Sequence, residues 1–166
     1  MTEQTLTPSR LWKRMTRDQR VTVARAFWKD GDAADDQIQA ALVIARQKKF
    51  RPKTVVALDD ERKALHLASI PSLPDNLAAK ALVIYHLTEQ RPMMSAFLDA
   101  LGLAHENGLI QEENPKPDPG KIAPAAGKIA EMFPAEHVSI YLNTLLCQDP
   151  ETWGGLRDVP QLGAPG

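Results

Sequence analysis

The segment from residue 46 to residue 53 carries the densest group of side chains that could do chemistry. It holds five cations and one aromatic ring in eight positions, namely Arg46, Lys48, Lys49, Phe50, Arg51 and Lys53. Lysine and arginine neutralise carboxylates or phosphates, and a phenylalanine ring can stack on an unpaired base. The competing interpretation is a basic helix end that the helix dipole stabilises, with Phe50 packed inward. The segment predicts a surface for an acidic protein partner, with nucleic acid as the alternative.

A second candidate site is the pair His86 and Glu89, which lie three residues apart on a predicted helix. Such a pair could share one metal ion, as carboxylates and imidazoles do in metal-binding helical bundles. No second pair matches it, and the four histidines, His66, His86, His105 and His137, do not follow the spacing of a zinc site. We therefore predict no cofactor and keep a metal-dependent enzyme around His86 and Glu89 as a further alternative.

A cysteine nucleophile with a histidine base would require Cys147 and His137. They lie ten residues apart on one predicted helix, and this spacing separates them by about 15 Å and excludes direct activation. The polar stretch 105–108 could line a pocket, but its Asn-Gly pair is also a common turn signal. The sequence contains no glycine-rich phosphate loop, no nucleophile elbow and no HExxH motif. These patterns identify no particular catalytic residue, and we favour a non-catalytic binding or assembly module over an enzyme.

The elements that carry these residues include an internal repeat. Residues 35–61 align without a gap on residues 75–101, and nine of the twenty-seven columns are identical, where unrelated segments would give about two. The longest match places the Ala-Leu-Val-Ile run at 41–44 on the same run at 81–84. A period of forty residues is typical of HEAT or armadillo helix pairs, which bury their apolar faces by stacking. The pattern predicts an all-α fold built as a compact stack of helical hairpins.

Several helix starts have clear local signals. Thr7 can cap a helix that begins at Pro8, where the missing proline N–H costs nothing. Thr16 and Gln19 have the spacing of a capping box, and this helix should run to about Trp28. Asp59 or Asp60 should cap a further helix through residue 67.

The two aligned segments each begin with a long predicted helix. The first reaches about Lys48, and its predicted inner face consists of Ile38, Ala41, Leu42 and Ala45. The second begins at residues 74–75 and is apolar over so wide an arc that we expect it to be central. Another helix follows Pro92 and ends at Gly102.

The C-terminal third should be less regular. Four prolines and a glycine between residues 114 and 124 predict a surface crossing rather than a helix. A last helix pair should span 125–132 and 135–147. One helical domain is expected over 1–153, followed by a mobile tail from 154 to 166.

Composition sets the broad class. A chain of 166 residues fits one domain of common size, and its start lacks the basic and apolar regions of a signal peptide. No apolar run approaches the length of ~20 residues that crosses a bilayer, so we expect a soluble cytoplasmic protein without a membrane partner. Residues 1–66 carry a net charge of +5 and the remainder −6. This polarity is compatible with homo-oligomers in which basic and acidic ends meet.

Overall fold

The computed structural model describes residues 6–111 and 116–162. Helical residues make up 73% of the described residues, in nine α-helices and two short 3-10 helices, and the two strands have two residues each. The predicted all-α fold is therefore confirmed. Residues 7–89 form one compact unit and residues 90–162 belong to a second, whereas the sequence predicts one domain over 1–153.

Six helices make up the unit 7–89. They are α1 (Pro8–Arg14), α2 (Arg17–Lys29), α3 (Ala34–Lys48), α4 (Pro52–Val56), α5 (Asp60–Ala68) and α6 (Asp75–Glu89). The predicted caps are confirmed: the Thr7 side chain accepts a hydrogen bond from the Arg10 N–H, and Thr16 and Gln19 form a capping box. Asp59 caps α5 by accepting from the Arg62 N–H.

Two side chains in this unit donate hydrogen bonds to backbone carbonyls at the ends of helices. The indole of Trp12, which is fully buried, donates to the carbonyl of Ile70 at 2.8 Å. The Arg20 guanidinium donates to the carbonyls of Met15 and Ala68, at the ends of α1 and α5. A cation suits the negative end of a helix, although partial burial lowers the pKa of Arg20. Arg20 therefore links the ends of α1 and α5.

The predicted inner face of α3 is partly wrong. Ala41 and Ala45 are buried as expected, but Ile38 is 59% exposed and Leu42 is 48% exposed. The remaining buried positions are Ala40 and Ile44. Gln37 explains the rotation, because its amide donates to the carbonyls of residues 27, 28 and 30 at the end of α2. Satisfying those carbonyls turns the Gln37 side of α3 inward.

The unit 90–162 contains three helices, a hairpin and two short 3-10 helices. They are α7 (Arg91–Leu101), β1 (His105–Glu106), β2 (Leu109–Ile110), α8 (Pro119–Met132), α9 (Ala135–Gln148) and the 3-10 helices Gly154–Asp158 and Pro160–Leu162. Gly102 ends α7 with φ 72°, as predicted. Asn107 and Gly108 both have positive φ and join the strands in a two-residue turn. A Cβ on Gly108 would lie 2.8 Å from Met94 Cβ, so only glycine fits.

The sequence predicts a non-helical surface crossing over residues 114–124, and this prediction is wrong for residues 119–124, which are helical. Asp118 caps α8, which begins at Pro119 and includes Pro124. A proline at the start of a helix costs no hydrogen bond, whereas Pro124 lacks the N–H that would reach the carbonyl of Gly120. This single loss near the helix start does not end α8. Residues 114 and 115 lie outside the described residues.

The chain after α9 packs against this unit as far as Leu162, where the sequence predicts a mobile tail. Trp153 lies against Phe97, with ring centroids 5.8 Å apart, and Leu156 is fully buried. The Leu162 carbonyl accepts hydrogen bonds from the Ser139 hydroxyl at 2.6 Å and from the Asn143 amide at 3.0 Å. Residues 163–166 of the predicted tail lie outside the part of the chain that the structure describes.

The forty-residue repeat stays a prediction. The offset places α3 on α6, and both helices have fifteen residues. It also places the five-residue α4 on the eleven-residue α7. The aligned leucines differ as well, because Leu82 is buried in α6 while Leu42 is half exposed in α3.

Candidate partner-binding surface

The basic segment forms the connection between α3 and α4. Lys48 ends α3, and Lys49 takes the left-handed conformation with φ 58°. The N–H of Phe50 then reaches back to the carbonyl of Ala45 at 2.9 Å, which closes the helix in the manner of a Schellman motif. Pro52 starts α4 immediately afterwards. We call this surface the basic turn; it comprises Arg46, Lys48, Lys49, Phe50, Arg51 and Lys53.

The side chains of the basic turn are available to a partner. Four of its five cations are exposed and Lys48 is half-buried. Phe50 is 38% exposed, and its ring meets the edge of His66 at 5.4 Å between centroids. Within the described residues, none of the five cations forms a salt bridge, since the ion pairs are Arg25 with Glu61 and Arg62 with Asp59, and the remaining contact of this kind is the hydrogen bond of His105 with Asp99. No carboxylate of the described residues is therefore within ion-pair distance of these cations.

A shallow groove of about 280 Å³ adjoins the basic turn on the α3 side. Its lining consists of Val43, Arg46, Gln47, Ser72, Leu73 and Pro74. Valine, leucine and proline give it an apolar wall, and the Arg46 guanidinium supplies a cation at the same place. An apolar side chain followed by a carboxylate would match both features. Residues 72–74 are distant in sequence from α3, so the pattern of the basic segment alone could not reveal them.

The charge of the chain divides between the two units. The unit 7–89 contains fifteen Lys and Arg against ten Asp and Glu, a net charge of +5. Residues 90–162 contain five Lys and Arg against ten Asp and Glu, a net charge of −5. The basic turn therefore belongs to a basic unit, which strengthens the attraction of anionic partners at low salt.

The two candidate metal ligands, His86 and Glu89, differ in their surroundings. His86 is buried, its Nδ1 lies 2.8 Å from the Leu82 carbonyl, and its ring meets Tyr85 edge to face. Glu89 is exposed at the end of α6. Three or more His, Cys, Asp or Glu side chains are nowhere grouped as metal ligands among the described residues.

His105 has a structural role in the hairpin. Its Nδ1 accepts the Gly108 N–H at 3.1 Å, and its Nε2 lies 2.7 Å from Asp99 Oδ1. A backbone N–H can only donate, so Nδ1 is the acceptor and Nε2 carries the proton that Asp99 accepts. Both ring nitrogens are therefore engaged. A general base would have to give up one of these bonds before it could take a proton from a substrate.

The histidine and cysteine of α9 are separated as predicted, since the helix is continuous from Ala135 to Gln148. His137 Nδ1 instead lies 3.3 Å from the side-chain amide of Gln90. Cys147 is half-buried ten residues further along the same helix.

Comparisons with known proteins found no family model that matches the chain, and no significant match among curated proteins or solved structures. Of the helices in the described residues, none is both long enough and apolar enough to span a membrane.

Proposed function

We propose that this protein is a non-catalytic binding or assembly module of the cytoplasm that uses the basic turn to bind an acidic protein surface. The observation that carries the proposal is the set of four exposed cations on one turn, with no ion-paired carboxylate among the described residues and with Phe50 beside them. Arginine and aromatic side chains are enriched where protein interfaces bind most strongly. Charge complementarity would bring the partner to this turn at an increased rate.

The groove beside the turn supports a protein partner over a simple polyanion. Its apolar wall of Val43, Leu73 and Pro74 offers contact area that a phosphate chain cannot use. Arg46 belongs both to the groove and to the basic turn, so one segment of an acidic partner could engage the two together. We expect that segment to place an apolar side chain in the groove and a carboxylate on Arg46.

The test is a charge reversal of the basic turn. The variant Lys48→Glu, Lys49→Glu and Arg51→Glu should lose acidic protein partners because attraction becomes repulsion. The wild type and the variant are immobilised and exposed to nuclease-treated native lysate at low and high salt. Mass spectrometry then identifies the retained proteins.

The control variant changes three exposed cations elsewhere in the same unit, Lys13→Glu, Arg14→Glu and Arg17→Glu. It alters the net charge equally, so general charge repulsion would affect both variants alike. We expect acidic partners on the wild type and on the control but not on the basic-turn variant. A partner set that is unchanged by the basic-turn reversal would contradict the assignment.

Nucleic acid is the second candidate, and the net charge of +5 on the unit 7–89 favours it. The cations would neutralise phosphates, and the exposed part of Phe50 would stack on an unpaired base. Binding of a fluorescent single-stranded oligonucleotide should then weaken as salt rises, with a slope near −0.7 per phosphate contacted. Absence of binding at low salt would exclude this candidate and leave the protein partner.

A further inference from the structure

We propose that α3 pairs in antiparallel orientation with α3 of a second copy of the chain, through a self-complementary stripe of four side chains. The stripe consists of Asp35, Ile38, Leu42 and Arg46, in the order acidic, apolar, apolar, basic. It goes beyond the proposed function, because it describes self-association through the side of α3, and it shares only Arg46 with the basic turn.

The four side chains share one face of α3. At about 100° per residue they fall within an arc of about 80°, and residues 35 to 46 span about 16 Å along the helix. Ile38 is 59% exposed and Leu42 is 48% exposed, although both are large apolar side chains one turn apart. Asp35 and Arg46 are exposed as well. Together they form an apolar centre with a charge at each end.

An antiparallel copy of the same stripe is its natural complement. A two-fold axis between residues 40 and 41 brings Ile38 of one copy to within one residue rise, about 1.5 Å, of the level of Leu42 of the other, and the reverse. The same axis brings Asp35 opposite Arg46 of the second copy. Neither charge has a salt bridge among the described residues. The paired helices would thus bury four apolar side chains and form two ion pairs, in an isologous interface.

The small size of this contact sets its strength. One helix pair over three turns buries less than the ~1,200 Å² of a stable standard interface. We therefore expect a weak dimer, with a dissociation constant on the order of 10 to 200 µM. Most of the basic turn, from Lys48 to Lys53, lies beyond the pairing residues and stays available to another partner.

The experiment uses the full chain in sedimentation velocity over a concentration series up to about 500 µM, chosen to cover the expected affinity. The variants Asp35→Arg and Arg46→Asp each place like charges opposite each other twice in the dimer. Each variant alone should associate at least about tenfold more weakly than the wild type, which corresponds to 1.4 kcal/mol. An equimolar mixture of the two should recover association, because in the mixed dimer every acidic side chain of the stripe again faces a basic one.

The matched controls reverse charges that lie off the stripe, Asp36→Arg and Lys53→Asp. Each should associate as strongly as the wild type, and an equimolar mixture of the two should associate no more strongly than either variant alone. The double variant Ile38→Lys and Leu42→Lys gives a second line of evidence, because it removes the apolar centre from exposed positions that folding does not require. It should be monomeric, with an unchanged circular dichroism spectrum.

Three results would overturn the proposal. The first is a wild type that stays monomeric at the highest concentration, and the second is association unchanged by the apolar double variant. The third is a mixture of Asp35→Arg and Arg46→Asp that associates no better than its components. Loss of the acidic partner in the charge-reversal test, with self-association intact, would show that the two surfaces act separately.

Discussion

The contact between Arg25 and Glu61 ties α2 to α5 through single side chains. Arg25 Nε donates to Glu61 Oε2 at 2.9 Å, and Nη2 donates to Oε1 at 2.6 Å. These hydrogen bonds hold the pKa of Glu61 below its ordinary value of 4.5 and raise the pKa of Arg25. A carboxylate whose pKa is lower in the folded state stabilises the fold above its unfolded pKa. That stability is lost as the pH falls through the folded pKa.

We expect the coupling between these two residues to depend on pH in that direction. A double-mutant cycle with Arg25→Ala and Glu61→Gln should give a stabilising coupling free energy at pH 7. The coupling should decline as the pH falls below about 4.5, because protonated Glu61 no longer attracts the guanidinium. Urea unfolding across the pH series measures it. The looser pair Arg62 and Asp59, 4.0 Å apart, is the control and should show little coupling at any pH.

Residue patterns alone could not orient α3. The apolar run from Ile38 to Ala45 is interrupted only by Gln39, so two different arcs of the helix are almost equally apolar. The periodicity favours the arc that holds Ile38 and Leu42. The other arc is buried instead, because the amide of Gln37 binds the carbonyls at the end of α2. This tertiary contact cannot be recognised from the sequence. The misassigned face is the one that we propose as a dimer surface.

At the scale of elements, α8 is the helix whose extent the sequence misjudges. Pro124 sits inside it rather than before it, so a helix hydrogen bond to Gly120 is missing. We expect Pro124→Ala to stabilise the chain by about 1–3 kcal/mol, since alanine restores the donor and has a better helix propensity. Urea unfolding of the two proteins measures the change.

Pro119→Ala is the matched control for this prediction. Pro119 occupies the first turn of α8, where a missing N–H costs no hydrogen bond. Its replacement should change the free energy of unfolding by less than about 1 kcal/mol, because Pro is favoured there by its fixed φ. Equal effects at both positions would indicate that α8 begins after Pro124, as the sequence predicts.

Most of the other elements follow from local signals. The caps at Thr7, Thr16 and Asp59 each bind a backbone N–H within their own helix, so the sequence contains the whole interaction. Gly102 ends α7 for an equally local reason. The groove beside the basic turn is different, because residues 72–74 approach α3 through the fold.

At the scale of the whole molecule, residues 154–162 contribute to stability. A chain that ends at Trp153 loses the buried side chains of Leu156 and Val159. It also loses the Leu162 carbonyl that Ser139 and Asn143 bind. Burial of two aliphatic side chains predicts a loss of about 3–6 kcal/mol in the free energy of unfolding.

A chain that ends at Leu162 is the control for this truncation, and it should unfold at the same urea concentration as the full chain. Equal stability of all three chains would support the mobile tail that the sequence predicts from residue 154. The sequence favours mobility there because the last residues of a domain are poorly ordered unless contacts tie them down. The burial of Leu156 and Val159 against the rest of the unit is a tertiary contact, which the position of a residue near the chain end does not predict.

The basic turn also has a consequence for proteolysis. Exposed connections between helices are preferred sites of cleavage, and trypsin cuts after lysine and arginine. The Arg51–Pro52 bond resists it because proline follows, and the bonds after Arg46 and Lys53 lie inside α3 and α4. The bonds after Lys48 and Lys49, at the connection itself, are therefore the preferred targets. An acidic partner seated on the turn would cover both bonds. Trypsin digestion therefore becomes a label-free footprint that distinguishes an occupied turn from a vacant one.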